Sequence, residues 1–209
     1  MNSDIICVTN RHLCRGDYRE TLVRLAKAHP RAVILREKDM NEDEYRELAS
    51  WYLKVCREEG TKLYLHYFHE AARELKPDGL HMPLGRLEEI VGISNAETKR
   101  SFDLVEFGIP ELGVSCHSVE DAIKAEELGC TYIVAGHIFD TDCKKGLPGR
   151  GLEFLKSVTD RSSLPVYAIG GIAATNINEI RKCGAAGACI MSSAMESNDI
   201  EELLKKFRQ

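Results

Sequence analysis

The residues able to do chemistry gather where short apolar runs end. His137 follows Val134-Ala135-Gly136 and opens the stretch Gly136-His137-Ile138-Phe139-Asp140-Thr141-Asp142-Cys143-Lys144-Lys145-Gly146. Imidazole is the side chain best suited to moving protons near neutral pH, so His137 is the candidate acid/base. A lone histidine serves equally well as a structural hydrogen-bonder, and the same caution covers His66, His69, His81 and His117. Cys143, six residues along the same stretch, is the rival proton carrier, given a thiol pKa lowered by Lys144. Gly170-Gly171 and Ser192-Ser193 follow two other apolar runs. Glycines let backbone N–H groups approach an anion and serine adds a hydroxyl, which together suit a phosphate. A tight turn and a helix cap would also account for them. Arg36 and Lys38 flank Glu37, and strand alternation points both cations the same way. Ser115, Cys116 and His117 end another run.

Eight runs can carry these tips: Ile5–Val8, Ala32–Leu35, Leu63–Leu65, Leu80–Met82, Leu112–Val114, Tyr132–Ala135, Val166–Ile169 and Ala188–Met191. They are nearly continuous in apolar residues, as parallel strands covered on both sides require. Helical patterns separate them. Asn41-Glu42-Asp43-Glu44 reads as a capping box, followed by Tyr45, Leu48, Tyr52 and Val55 on one face and Gly60 as the stop. Ser118 begins another helix, with Ala122, Ala125 and Leu128 inward. The last starts near Asn198 and buries Ile200, Leu203, Leu204 and Phe207. Leu84–Ile109 and Thr141–Gly151 give no clear pattern. Eight β-then-α units predict one (β/α)8 TIM barrel over residues 1–209, with the site at the carboxyl ends of the strands. In such barrels the loops after strands 7 and 8 often hold phosphate, and Gly170-Gly171 and Ser192-Ser193 occupy those places. A doubly wound open sheet is disfavoured, since no G-x-G-x-x-G follows the first run.

Twenty-eight basic residues face thirty-three acidic ones, leaving a net charge of −5. That balance gives no footprint for nucleic acid or an anionic membrane. No apolar run approaches the roughly 20 residues of a membrane span, and no signal peptide is visible, so a cytoplasmic protein is expected. The eight cysteines form no C-x-x-C pair or zinc-finger spacing, which predicts reduced thiols.

The order of the motifs resembles the thiamine phosphate synthase/TenI superfamily over nearly the full chain. Leu35-Arg36-Glu37-Lys38 is similar to Q-L-R-x-K, Asp78-Gly79-Leu80-His81-Met82 to D-G-V-H-L, and Gly113-Val114-Ser115-Cys116-His117 to G-V-S-x-H. The loop from Gly136 to Lys144 resembles G-P-I-F-x-T-x-T-K. Ala168–Ile172 and Gly187–Ser192 look like the two phosphate turns. The resemblance implies a barrel that handles a thiazole phosphate for thiamine biosynthesis. It places phosphate on Gly170, Gly171, Met191 and Ser192, and substrate contacts on Arg36, Lys38, Ser115, Thr141, Cys143 and Lys144.

The departures bear on the reaction. Synthases carry Asn-Asp after the third strand and a further Asp after D-G-V-H-L, and both aspartates serve magnesium. Here those positions hold His66-Tyr67 and Arg86, while Ile34 and Cys143 replace the family's Gln and second Thr. Tyrosine and arginine do not ligate hard Mg²⁺. The His137 loop instead resembles the TenI form G-H-V-F-E-T-D-C-K-K-G, where the histidine is the proposed acid/base of thiazole tautomerisation. TenI proteins keep Asn where His66 stands. The expectation is therefore a thiazole tautomerase without metal or cofactor. The alternatives are a magnesium-dependent thiamine phosphate synthase and a non-catalytic phosphate-ligand regulator acting through a partner. Oligomeric state stays open, a homodimer included.

Overall fold

A computed structural model of the chain describes residues 4–94 and 102–208. Eight parallel strands close a barrel in sequence order: β1 (Ile5–Val8), β2 (Ala32–Leu35), β3 (Leu63–His66), β4 (Gly79–Pro83), β5 (Glu111–Cys116), β6 (Tyr132–Gly136), β7 (Val166–Ile169) and β8 (Gly187–Ile190). Closure is through β1, where Cys7 pairs with Val33 on one side and Ile190 on the other. The helices are α1 (Tyr18–Lys27), α2 (Glu42–Glu59), α3 (His69–Leu75), α4 (Leu84–Ser94), α5 (Leu104–Phe107), α6 (Val119–Glu127), α7 (Gly151–Arg161), α8 (Ile177–Lys182), α9 (Ser192–Glu196) and α10 (Ile200–Lys206).

The continuous apolar runs have a simple cause. Ile5, Cys7, Val33 and Leu35 pack outward under the helices, while Ile6, Val8, Ala32 and Ile34 fill the lumen, so both faces of each strand are buried. Lumen space is shared between large and small residues. A Cβ on Gly113 would lie 2.0 Å from the Tyr132 ring, so the tyrosine fits only because residue 113 has no side chain.

Helix ends follow the sequence signals. Asn41 accepts from the Glu44 amide and the Glu44 carboxylate reaches back, completing the capping box of α2, which Gly60 ends. Tyr45, Leu48 and Tyr52 are buried as expected; Val55 is only partly so, and Cys56 takes the inner position. Asp199 caps α10, which is shorter than its sequence pattern, yet Phe207 just beyond it is still buried. The eighth strand ends one residue early, because Met191 turns to precede α9. The unpatterned stretch Leu84–Ile109 contains α4 and α5, with 95–101 outside the described residues. Thr141–Gly151 is a loop with a single 3-10 turn at Asp142–Lys144. All eight cysteines are free thiols. Among the described residues no helix is long and apolar enough to cross a membrane.

Candidate functional site

At the carboxyl ends of the strands a cavity of about 940 Å³ opens beneath the β6–α7 loop. Arg36, Thr141, Cys143, Lys144, Met191 and Ser192, all expected at the site, line it together with Asn10, Leu13 and Glu196. Lys38, Ser115, His137, Gly170 and Gly171 do not line this cavity.

His137 sits where β6 hands over to the loop. Ile138 and Phe139 donate their amides to the carbonyls of Ile169 and Gly170, and Arg150 donates to the His137 carbonyl, so both flanks of His137 are tied down. Its Nε2 lies 3.2 Å from the Leu147 carbonyl oxygen. A carbonyl only accepts, so Nε2 carries the hydrogen, and the neutral ring keeps its lone pair on Nδ1. His117 is structural: its Nδ1 donates to the Gly136 carbonyl at 2.8 Å, bracing the peptide that precedes His137.

Gly170 and Gly171 hold positive φ angles, 99° and 64°. Close approach adds to the requirement for glycine. A Cβ at residue 170 would stand 2.3 Å from His137 Cβ, and one at residue 171 would stand 2.6 Å from the Asp140 carbonyl oxygen. The glycines therefore let the His137 loop lie directly on the end of β7. Gly170-Gly171 and Met191-Ser192 follow directly on the ends of β7 and β8, which pair side by side. Backbone N–H groups and a serine hydroxyl at two adjacent strand ends suit an anion's oxygens.

The cations converge from the other side. Arg36 is half-buried, and its Nη1 lies 4.0 Å from Met191 Sδ. Partial burial, then the charges of Arg36 and Lys144, push the Lys38 ammonium below its usual range. Lys38 thus shares one electrostatic neighbourhood with Arg36 and Lys144 although its side chain is exposed at the rim.

Ser115 belongs to a polar column inside the barrel. Its Oγ lies 3.1 Å from His81 Nε2, and His81 Nδ1 lies 3.1 Å from the Tyr132 hydroxyl. His66 stacks on His81 with ring centroids 6.1 Å apart. Burial, then the Arg36 charge, pushes His81 down to about 3. Burial, His81, Arg36 and Lys38 depress His66 in the same direction. Both rings are therefore neutral at physiological pH. Sequence reasoning missed this column and the buried Glu37. The signals were available, because alternation in Leu80-His81-Met82 turns His81 inward and that in Arg36-Glu37-Lys38 turns Glu37 away from its neighbours.

At the exits of β3 and β4, Tyr67 and Arg86 form a stacked pair, with the guanidinium carbon 5.5 Å from the ring centroid. Arg86 also pairs with Glu89 at 2.8 Å. A phenol lying against a permanent cation is not a donor set for a hard divalent ion. Among the described residues no three His, Cys, Asp or Glu side chains gather to hold a metal. Magnesium does not fit these positions.

Comparison with known proteins agrees with this architecture. A family model described as thiamine monophosphate synthase (TMP-TENI) matches residues 5–194. The chain is 32% identical to the thiamine-phosphate synthase of Syntrophomonas wolfei, over 100% of this chain and 97% of that protein. It is also 32% identical to the thiamine-phosphate synthase of Methanocella arvoryzae, over 100% and 94%. A solved structure of thiamine phosphate pyrophosphorylase from Pyrococcus furiosus superposes with a TM-score of 0.77 at 25% identity, covering 98% of this chain and 93% of that one. The chain belongs to the thiamine monophosphate synthase family.

Proposed function

We propose that the protein isomerises a carboxylated dihydrothiazole-ylidene ethyl phosphate to the aromatic carboxythiazole phosphate. His137 Nδ1 takes the proton from ring C2, and the resulting imidazolium returns one proton to the exocyclic carbon. The ring becomes aromatic with no net change in atoms. The amides of Gly170, Gly171 and Met191 and the Ser192 hydroxyl hold the phosphate. Arg36, Lys38 and Lys144 stabilise the carboxylate and the negative charge that develops when the proton leaves. Thr141 and Cys143 shape the remaining wall, and Ser115 contributes from the lumen side.

The observation that carries this reading is the Nε2 contact of His137 with Leu147, which leaves Nδ1 as the accepting nitrogen on a loop packed on the end of β7. Its test is the tautomer offered alone, with loss of the C2 hydrogen signal and appearance of the aromatic ring followed by NMR. A protein that only binds the phosphate leaves the tautomer unchanged.

A second reading, coupling of a pyrimidine pyrophosphate to thiazole phosphate, is favoured by the names of the relatives. Arg36, Lys38 and Lys144 would meet a departing pyrophosphate in that reaction. The Tyr67–Arg86 pair counts against it, because neither side chain offers a carboxylate at these positions to bring magnesium.

A further inference from the structure

Glu37 is only 2% exposed. Three groups converge on its carboxylate: Thr9 Oγ1 at 2.6 Å, the Tyr18 hydroxyl at 2.5 Å and the Arg11 amide at 3.0 Å. The Arg11 side chain turns elsewhere, to Asp39 at 2.7 Å. A carboxylate taken this far from water is tolerated only where donors meet it, so its surroundings are fixed in geometry. Thr9 is the pivot. Its hydroxyl has one proton, which goes to Glu37, so a lone pair must face the Arg36 amide, which donates to it at 2.9 Å. The Thr9 amide meanwhile donates to Ile34 at 3.0 Å, carrying the β1–β2 pairing one residue past the end of β1.

We infer that Thr9 and Glu37 form a positioning couple that sets Arg36 in the cavity wall. The couple does not touch the ligand and acts through Arg36. This deepens the reading above, since it rests on the cavity taking an anionic ligand. The same carboxylate holds the Arg11 amide, so the loop bearing Asn10 and Leu13 is tied to the segment after β2 that bears Arg36.

Removing the Glu37 charge would change two things at once, because a nearby negative charge itself repels anions. Thr9→Val changes shape little and charge not at all. The probe is inorganic pyrophosphate, titrated calorimetrically, so the result does not depend on turnover. Thr9→Val is expected to weaken binding about tenfold, the scale of one hydrogen bond to a charged network. Thr9→Ser keeps the hydroxyl and stays within about twofold of wild type. In an Arg36→Ala background, Thr9→Val changes affinity by less than about twofold. Equal losses in both backgrounds, or wild-type affinity in Thr9→Val, overturn the inference. Where Thr9→Val does not fold, Tyr18→Phe removes one donor from Glu37 and makes the same comparison. Wild-type protein that ignores pyrophosphate removes the anion site, and the inference with it. Pyrophosphate binding that behaves as described in a protein inactive on the tautomer refutes only the isomerase reading.

Discussion

The Nε2 of His137 and the carbonyl oxygen of Leu147 are 3.2 Å apart across the β6–α7 loop. That contact fixes the tautomer of the ring and ties it to a loop that walls the cavity. A proton carrier needs such an anchor, because an imidazole free to rotate spends little time in a reactive orientation.

Replacing His137 separates catalysis from binding. His137→Gln should fold, since the half-buried side chain at a strand tip adds little to the core. Phosphate affinity should be kept, because the amides lie on the ends of β7 and β8. The isomerisation rate should fall by roughly two to four orders of magnitude. Cys143→Ser is the control; if it abolishes activity while His137→Gln retains it, the proton carrier is Cys143.

Gly171→Asp should weaken binding of the phosphate ester for two reasons. The new Cβ would press on the Asp140 carbonyl at a positive φ of 64°, and the carboxylate would face the incoming anion. Strain of this kind costs on the order of 1–3 kcal/mol, so the melting temperature should fall as well. Gly171→Ala should reproduce the stability loss with a smaller loss of affinity. Equal affinities for wild type and Gly171→Asp would move the anion away from β7.

Acid should destabilise the fold through the lumen histidines. His81 is held near 3 in the folded chain, against about 6.5 when unfolded. Unfolding therefore takes up a proton between these values, and stability present above pH 6.5 is lost as pH falls. The slope approaches about 1.4 kcal/mol per pH unit, and from pH 7 to 5 the loss from His81 alone is about 2 kcal/mol. Any folded value well below 5 gives that figure. His66, depressed by burial and by His81, adds in the same direction. Urea unfolding at the two pH values measures the loss, and His81→Gln should flatten the dependence. An unchanged slope in that variant would place the acid sensitivity elsewhere.

The barrel was legible because its apolar runs are buried on both faces, so Ile5–Val8, Ala32–Leu35 and Val166–Ile169 match strands end to end. The cavity residues Arg36 and Ser192 were legible because residues just beyond parallel strands converge at one end of a barrel, whereas Lys144 came from the family resemblance of its loop. What stayed hidden depends on pairs distant in sequence. Glu37 looks like a surface charge until Thr9, 28 residues away, and Tyr18 are seen to enclose it. His81 gains its meaning from Tyr132 and Ser115, which only the closed barrel brings within 3.1 Å. The pairing of Tyr67 with Arg86 is likewise a product of adjacent strand exits.

The central claim is metal-free isomerisation at His137, and a two-part assay on the purified protein tests it most directly. One part supplies the carboxylated thiazole phosphate tautomer with EDTA present. The other supplies aromatic thiazole phosphate, hydroxymethylpyrimidine pyrophosphate and Mg²⁺. The account predicts saturable, EDTA-insensitive formation of the aromatic carboxythiazole phosphate in the first and no thiamine phosphate in the second. Magnesium-dependent formation of thiamine phosphate, with the tautomer left unchanged, would contradict it.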